Sequence, residues 1–238
     1  MIILAIDTSE ARGSIAVLRD GSVRALRAHR DGSDYSGWLL PAVEEVLSEA
    51  GSKMEQLEVL AVSTGPGSFT GLRVGLTTVK AWAEVYNKRI VGVSRLEAIA
   101  RSQTGDCPLV VAFYDAQRGQ LFAALYAKAE GYLRCVGDEM VISPGDLVSL
   151  VGGQAGGQRV AWIGLDPDLV NKEQGMDARI GAGDRILTCS DELAGDIGML
   201  AEERALRGQF SDPLTLDANY VRRSDAEIFW KERPSGVR

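Results

Sequence analysis

The hydrophobic positions of this chain change their period several times, and each change marks an element. Residues 2–6 form an apolar run closed by Asp7, residues 13–18 resume it, and Asp20-Gly21 leads into alternation over 22–29. Short runs of this kind joined by an Asp-Gly turn predict three antiparallel strands in a meander. Leu39, Leu40, Val43, Val46 and Leu47 then recur at helical spacing, which predicts a helix capped by Ser33 or Asp34 and ending near Gly51. A strand over 57–63, a helix over 68–87, a strand over 89–93 and a helix over 94–102 follow. Strands separated by helices imply parallel additions to a sheet that began antiparallel.

Asp106-Cys107-Pro108 interrupts the pattern, and a similar beginning follows it. The apolar run 109–114 is closed by Asp115, a turn holds Gly119, and residues 121–126 read as a second strand. An acidic residue closing the first strand and a glycine opening the second repeat the order of residues 2–18, as an internal duplication would. Further on, the pattern predicts a helix over 144–151, a loop over 152–158, a strand over 159–164, and a helix over 191–206 closed by Gly208.

At 238 residues the chain exceeds one average domain, and two are expected. Its 45% hydrophobic and 25% charged residues are those of a folded globular protein. A formal net charge of −7 argues against a protein that grips a nucleic-acid backbone by itself. The first apolar run is far shorter than the ~18 residues of a membrane span and has no basic segment before it. Three cysteines without a Cys-x-x-Cys pattern suit a reducing compartment, so a cytoplasmic protein is expected.

Gly65-Pro66-Gly67-Ser68-Phe69-Thr70-Gly71-Leu72-Arg73-Val74-Gly75 lies between a strand and a helix, where phosphate loops occur. Its spacing fits neither common phosphate loop. There is no Gly-Lys pair, the next lysine being Lys80, and three residues separate Gly67 from Gly71 where the dinucleotide fingerprint has two. Gly71 and Gly75 stand one turn apart on one helix face and permit close backbone approach, either by a neighbouring helix of the same domain or by another chain.

Asp7-Thr8-Ser9 closes a strand, and as a lone signature it reads first as a hydrogen-bonded turn. A two-metal nuclease would need acids on neighbouring strands, which residues 57–63 lack. His29 is the only histidine, so histidine metal sites and Ser-His-Asp or Cys-His pairs have no basis unless His29 is the base. Its place in a charged stretch predicts solvent exposure. The basic residues Arg222-Arg223 and those over 231–233 read as a solvated end, with RNA or an acidic partner as the alternative.

Together, Ile3-Leu4-Ala5-Ile6-Asp7-Thr8-Ser9, the glycine-rich segment, Ile90-Val91-Gly92-Val93-Ser94, Asp115-Ala116-Gln117-Arg118-Gly119 and Asn219-Tyr220-Val221-Arg222 resemble the TsaB (YeaZ) family. The resemblance implies an α/β, actin-like (ASKHA, ribonuclease H-like) fold of two related domains with mixed sheets flanked by helices. The expected bounds are 1–104 and 105–208, with a tail at 209–238 that packs back on the first domain. It also implies a non-catalytic subunit that joins the paralogous enzyme TsaD and the ATPase TsaE in threonylcarbamoyl transfer to a tRNA adenosine. TsaC supplies the threonylcarbamoyl adenylate, and tRNA is met only through the complex.

By this resemblance the partner interface comprises Gly65, Pro66, Gly67, Ser68, Phe69, Thr70, Gly71, Leu72, Arg73, Gly75 and Leu76, with Trp38 and Leu39 of the first helix. Homodimers would use the same surface. Tyr35 is a departure, since many members of the family carry histidine before that helix. Asp7, Thr8, Ser9 and Asp115 would be vestigial or shared nucleotide contacts. No cofactor of its own is implied, only weak or shared ATP or ADP with magnesium in the complex. TsaD has His-x-x-x-His where this chain has Arg95 and Ile99, and neither side chain ligates a metal. The alternatives are an actin-superfamily ATPase or kinase-like enzyme using Asp7 and Asp115 with magnesium, and a glycoprotease-like protein of the peptidase M22 type.

Overall fold

Two sheets of matching topology carry the chain. The computed structural model describes residues 1–30, 34–103, 106–129 and 132–221. Ser33 and the basic residues beyond 221 lie outside them. In the first sheet β1 (Ile2–Asp7), β2 (Ser14–Arg19) and β3 (Ser22–Ala28) form the expected meander. Asp20 and Gly21 turn between the last two with φ of 51° and 72°, as a tight two-residue hairpin requires. β4 (Val59–Gly65) and β5 (Arg89–Ser94) add in parallel beyond β1, giving the order β3-β2-β1-β4-β5.

The second sheet repeats that plan. β6 (Leu109–Asp115), β7 (Leu121–Ala129) and β8 (Tyr132–Cys135) form a meander, and β9 (Met140–Ile142) also pairs with β7. β10 (Val160–Gly164) and β11 (Arg185–Thr188) add in parallel beyond β6, so the order is β11-β10-β6-β7-β8. The duplication inferred from two runs closed by Asp7 and Asp115 thus extends through five strands.

Period-2 alternation sorts the core into layers. Leu4 and Ile6 of β1 face α1 (Tyr35–Glu49) and α2 (Phe69–Tyr86), which cover the outer face of the first sheet. Ile3 and Ala5 face inward with Val110, Ala112 and Tyr114 of β6. Two helices fill the space between the sheets, and each packs on the sheet of the other half. α3 (Arg95–Ser102) follows β5 yet lies against β6 and β7; the last helix, Ala194–Leu206, follows β11 yet lies against β1 and β2. A cut after residue 104 therefore divides the sheets without dividing the helices. α4 (Pro144–Gln154), α5 (Asp168–Asn171) and α6 (Met176–Gly181) lie on the second half, α4 and α5 covering its outer face, which makes the last helix α7.

α2 shows why these residues form a helix there. Ser68 caps it by accepting from the Gly71 N–H at 3.3 Å, and Asn87 ends it in the left-handed conformation at φ 51°. The loop expected over 152–158 starts later, because α4 runs through Gly152 and Gly153 to Gln154. After α7 the chain returns to the first sheet: the Ser211 N–H donates to the Ile90 carbonyl at 2.8 Å and that of Asn219 to the Thr64 carbonyl at 2.7 Å.

Candidate functional site

The ends of β1 and β6 face a cleft of about 720 Å³ between the halves, lined by Glu10, Arg12, Tyr114, Asp115, Asp166 and Asp191 among others. Asp7 does not open into it. The Asp7 carboxylate is fully buried: its Oδ1 accepts from the N–H of Ser9 at 3.0 Å and from the Ser9 hydroxyl, and its Oδ2 accepts from Arg95 Nη1. The same Nη1 donates to Ser9 Oγ at 3.0 Å. Arg95 is itself fully buried, its Cζ 5.3 Å from the centre of the Tyr114 ring. Arg95 Nε and Nη2 are buried and have no hydrogen-bond partner.

Thr8 points the other way, donating from Oγ1 to the Gly71 carbonyl at 2.7 Å. A Cβ on Gly71 would lie 2.0 Å from the Thr8 carbonyl oxygen, and one on Gly75 would lie 2.4 Å from Thr8 Oγ1. This corrects the expectation that these glycines admit a helix of a partner: what they admit is the β1–β2 turn of the same chain. Gly67 does likewise, since its Cβ would lie 2.2 Å from the Ser9 carbonyl oxygen, which accepts from the Ser68 N–H at 2.6 Å.

Asp115 is not brought onto Asp7. It is exposed and closes its own turn, accepting from the Gln117 N–H at 2.7 Å and from its side-chain amide at 3.1 Å. Glu10, which motif reading passed over although it directly follows Asp7-Thr8-Ser9, is pushed up to about 7 by burial first and by the negative charges of Asp7 and Asp115, against the pull of Arg95. Arg12 pairs with Asp191 across 3.5 Å. Ile99 is fully buried in the central core. Among the described residues no group of three or more His, Cys, Asp or Glu is placed to hold a metal, and no helix is long and apolar enough to cross a membrane.

The residues expected at a partner interface divide by burial. Leu39, Gly65, Pro66, Gly71, Leu72, Gly75 and Leu76 are buried within this chain. Ser68, Phe69, Thr70 and Arg73 are exposed, with Trp38 and Gly67 half-buried. Arg73 lies 3.8 Å over the Phe69 ring, and the Tyr220 ring of the returning tail packs tilted against Phe69 at 5.2 Å between centroids. Further exposed residues on the same helices are Leu40 of α1 at 54% and Val85 of α2 at 75%, the latter following Arg73, Thr77 and Ala81 at i+4 spacing.

His29 is corrected as well. It is 1% exposed, its Nδ1 lies 2.9 Å from the Ala11 carbonyl oxygen, and its ring packs 4.4 Å from Tyr35 and 4.9 Å from Trp38. The Tyr35 hydroxyl donates to the Glu10 carbonyl at 2.5 Å. These aromatic residues brace the β1–β2 turn.

A family model described as TsaD, tRNA N6-adenosine threonylcarbamoyltransferase, matches residues 30–170. The chain is 29% identical to the tRNA threonylcarbamoyladenosine biosynthesis protein TsaB of Bacillus subtilis, over 98% of this chain and 99% of that one. It is 30% identical to TsaB of Escherichia coli over the same shares. Among solved structures, a Pseudomonas aeruginosa protein described as similar to the peptidase YeaZ superposes with a TM-score of 0.77 at 24% identity, over 93% of this chain and 99% of that one. The architecture is the actin-like α/β fold in two related units.

Proposed function

The chain belongs to the TsaB (YeaZ) family with a TsaD-like domain, and from that premise we propose that it is a non-catalytic subunit that docks TsaD in threonylcarbamoyladenosine biosynthesis. The observation that carries the proposal is the outer face of α1 and α2, where Leu40, Phe69 and Val85 are exposed beside the small side chains of Thr70, Thr77 and Ala81. Large apolar residues interleaved with small ones suit the close packing of another helix pair. The cleft supports the same reading from the other side, because Asp7, the acid that an ATPase or kinase-like enzyme would need free, is consumed by Arg95.

In this reading TsaE joins through the complex, tRNA is reached through TsaD, and a second copy of the chain competes for the α1–α2 face. Any ATP or ADP with magnesium belongs to a site shared with a partner, and the assembly works in the cytoplasm. The test is co-purification with the cognate TsaD using Thr77→Arg and Ala81→Arg, both at exposed positions of α2. Loss of TsaD with an unchanged melting temperature is expected; native-like capture by both variants would overturn the assignment of this face. Gly75→Arg is unsuitable for the purpose, since Gly75 abuts Thr8 and the substitution would disturb the fold itself.

A further inference from the structure

The actin-like fold implies a magnesium nucleotide between the halves, and the residues present do not fit one. A hydrated magnesium ion needs open oxygen ligands and room for several waters. Both oxygens of Asp7 are engaged, by Ser9 and by Arg95, in a site with no solvent-accessible surface. A second cation there would face a buried guanidinium, and like charges close together in a poorly solvated site repel strongly. The nucleotide fares no better: the cleft is lined by Glu10, Asp115, Asp166 and Asp191 against two cations, Arg12, which is paired with Asp191, and Arg95, which is buried against Asp7.

We infer that Arg95 is the resident cation of this cleft, a fixed guanidinium that holds the Asp7 carboxylate in place of a metal, excludes magnesium nucleotides and clasps the two halves together. The clasp is visible in its partners. Arg95 begins α3, which packs on the second sheet, yet its ion pair is with β1 of the first. Tyr114 of β6, stacked beside Arg95, donates from its hydroxyl to the Pro66 carbonyl just before α2. Asp7, Arg95, Tyr114 and Pro66 therefore link both sheets to the turn that launches α2. Nucleotide-dependent closure is replaced by an internal ion pair. This deepens the non-catalytic reading and rests on it, while the docking of TsaD stands or falls separately.

The test uses the purified full chain. Isothermal titration with magnesium ATP and magnesium ADP to millimolar concentration should give no binding heat and no change in melting temperature. Magnesium-dependent binding that Asp7→Asn abolishes would overturn the inference and leave TsaD capture untouched. Arg95→Ala should melt about 10 °C lower, because it strands a buried carboxylate. Guanidinium chloride at a few millimolar should recover part of that loss where equal sodium chloride does not. Absence of such recovery in a folded Arg95→Ala chain would overturn the resident-cation role. Should Arg95→Ala fail to fold, the pair Arg95→Met and Asp7→Asn/Arg95→Met decides: the double variant should be the more stable, and equal instability of both would refute the coupling.

Discussion

The two strand-end turns of this molecule, at Asp7 and at Asp115, occupy the same place in duplicated halves and have become opposites. Each follows the first strand of a meander that receives two parallel strands on its far side. Around Asp7 the chain has gathered a buried guanidinium, a serine that donates twice, and three glycines that let the turn sink against α2. Around Asp115 there is only a solvated turn, with Gln117 and Arg118 at φ of 65° and 59°. Among the described residues the second half has neither a glycine-rich segment before a helix as long as α2 nor an arginine opening α7, which follows β11 as α3 follows β5. Topology was duplicated; the electrostatic environment was not. The half with the sealed acid also carries the α1–α2 face, and the proposed clasp joins the two through Pro66.

The sharpest way to break this comparison is to neutralise the two acids in turn. Asp7→Asn leaves Arg95 buried without its counter-charge, a change that costs about 3–5 kcal/mol where buried pairs have been broken. At this chain length that is a fall in melting temperature of about 10 °C. Asp115→Asn keeps an acceptor for the Gln117 N–H on an exposed turn, and its effect should stay within about 0.5 kcal/mol. Thermal melts of the two variants side by side check the contrast; equal losses would mean that the turns are equivalent after all.

The glycines give the next largest difference. Gly71→Ala forces a Cβ toward the Thr8 carbonyl, whose oxygen stands 2.0 Å from the ideal position. Backbone must move, and a loss of about 1–3 kcal/mol follows. Gly119 has nothing within 4 Å of its Cβ position, so Gly119→Ala meets only the strain of φ +70°, about 1 kcal/mol. Denaturant midpoints measured for both should rank Gly71→Ala the lower.

How much of this could be read beforehand follows from the range of each interaction. α2 was legible at both ends because Ser68 and Asn87 act on their own helix. The duplication was legible because runs closed by Asp7 and Asp115 are local patterns. Gly71 and Gly75 were read correctly as sites of close approach, yet the approaching group is Thr8, which no local pattern announces. The Arg95–Asp7 pair spans 88 positions in sequence and was equally hidden. His29 misled because alternation in a charged stretch says nothing of Tyr35 and Trp38, which arrive from α1 and cover it. The short β8, β9, β11, α5 and α6 escaped because few residues define their period and their pairing is tertiary.

Glu10 supplies the smallest effect and the finest test of what the sealed turn does to its surroundings. Its carboxyl is pushed from 4.5 to about 7 by burial, with Asp7 and Asp115 adding and Arg95 opposing. The folded chain therefore holds this proton more tightly than the unfolded chain does between those two values. Stability follows the difference in bound protons, so the Glu10 contribution is fullest below about pH 4.5 and is lost as pH rises to about 7, beyond which it is flat. Because Glu10 is partly solvated, the loss should amount to about 1 kcal/mol, or a few degrees in melting temperature. Glu10→Gln carries no proton to lose, so the gap in melting temperature between it and the native chain should widen in its favour from pH 5 to pH 8. Parallel pH dependences would show that Glu10 feels neither its burial nor the buried pair beside it.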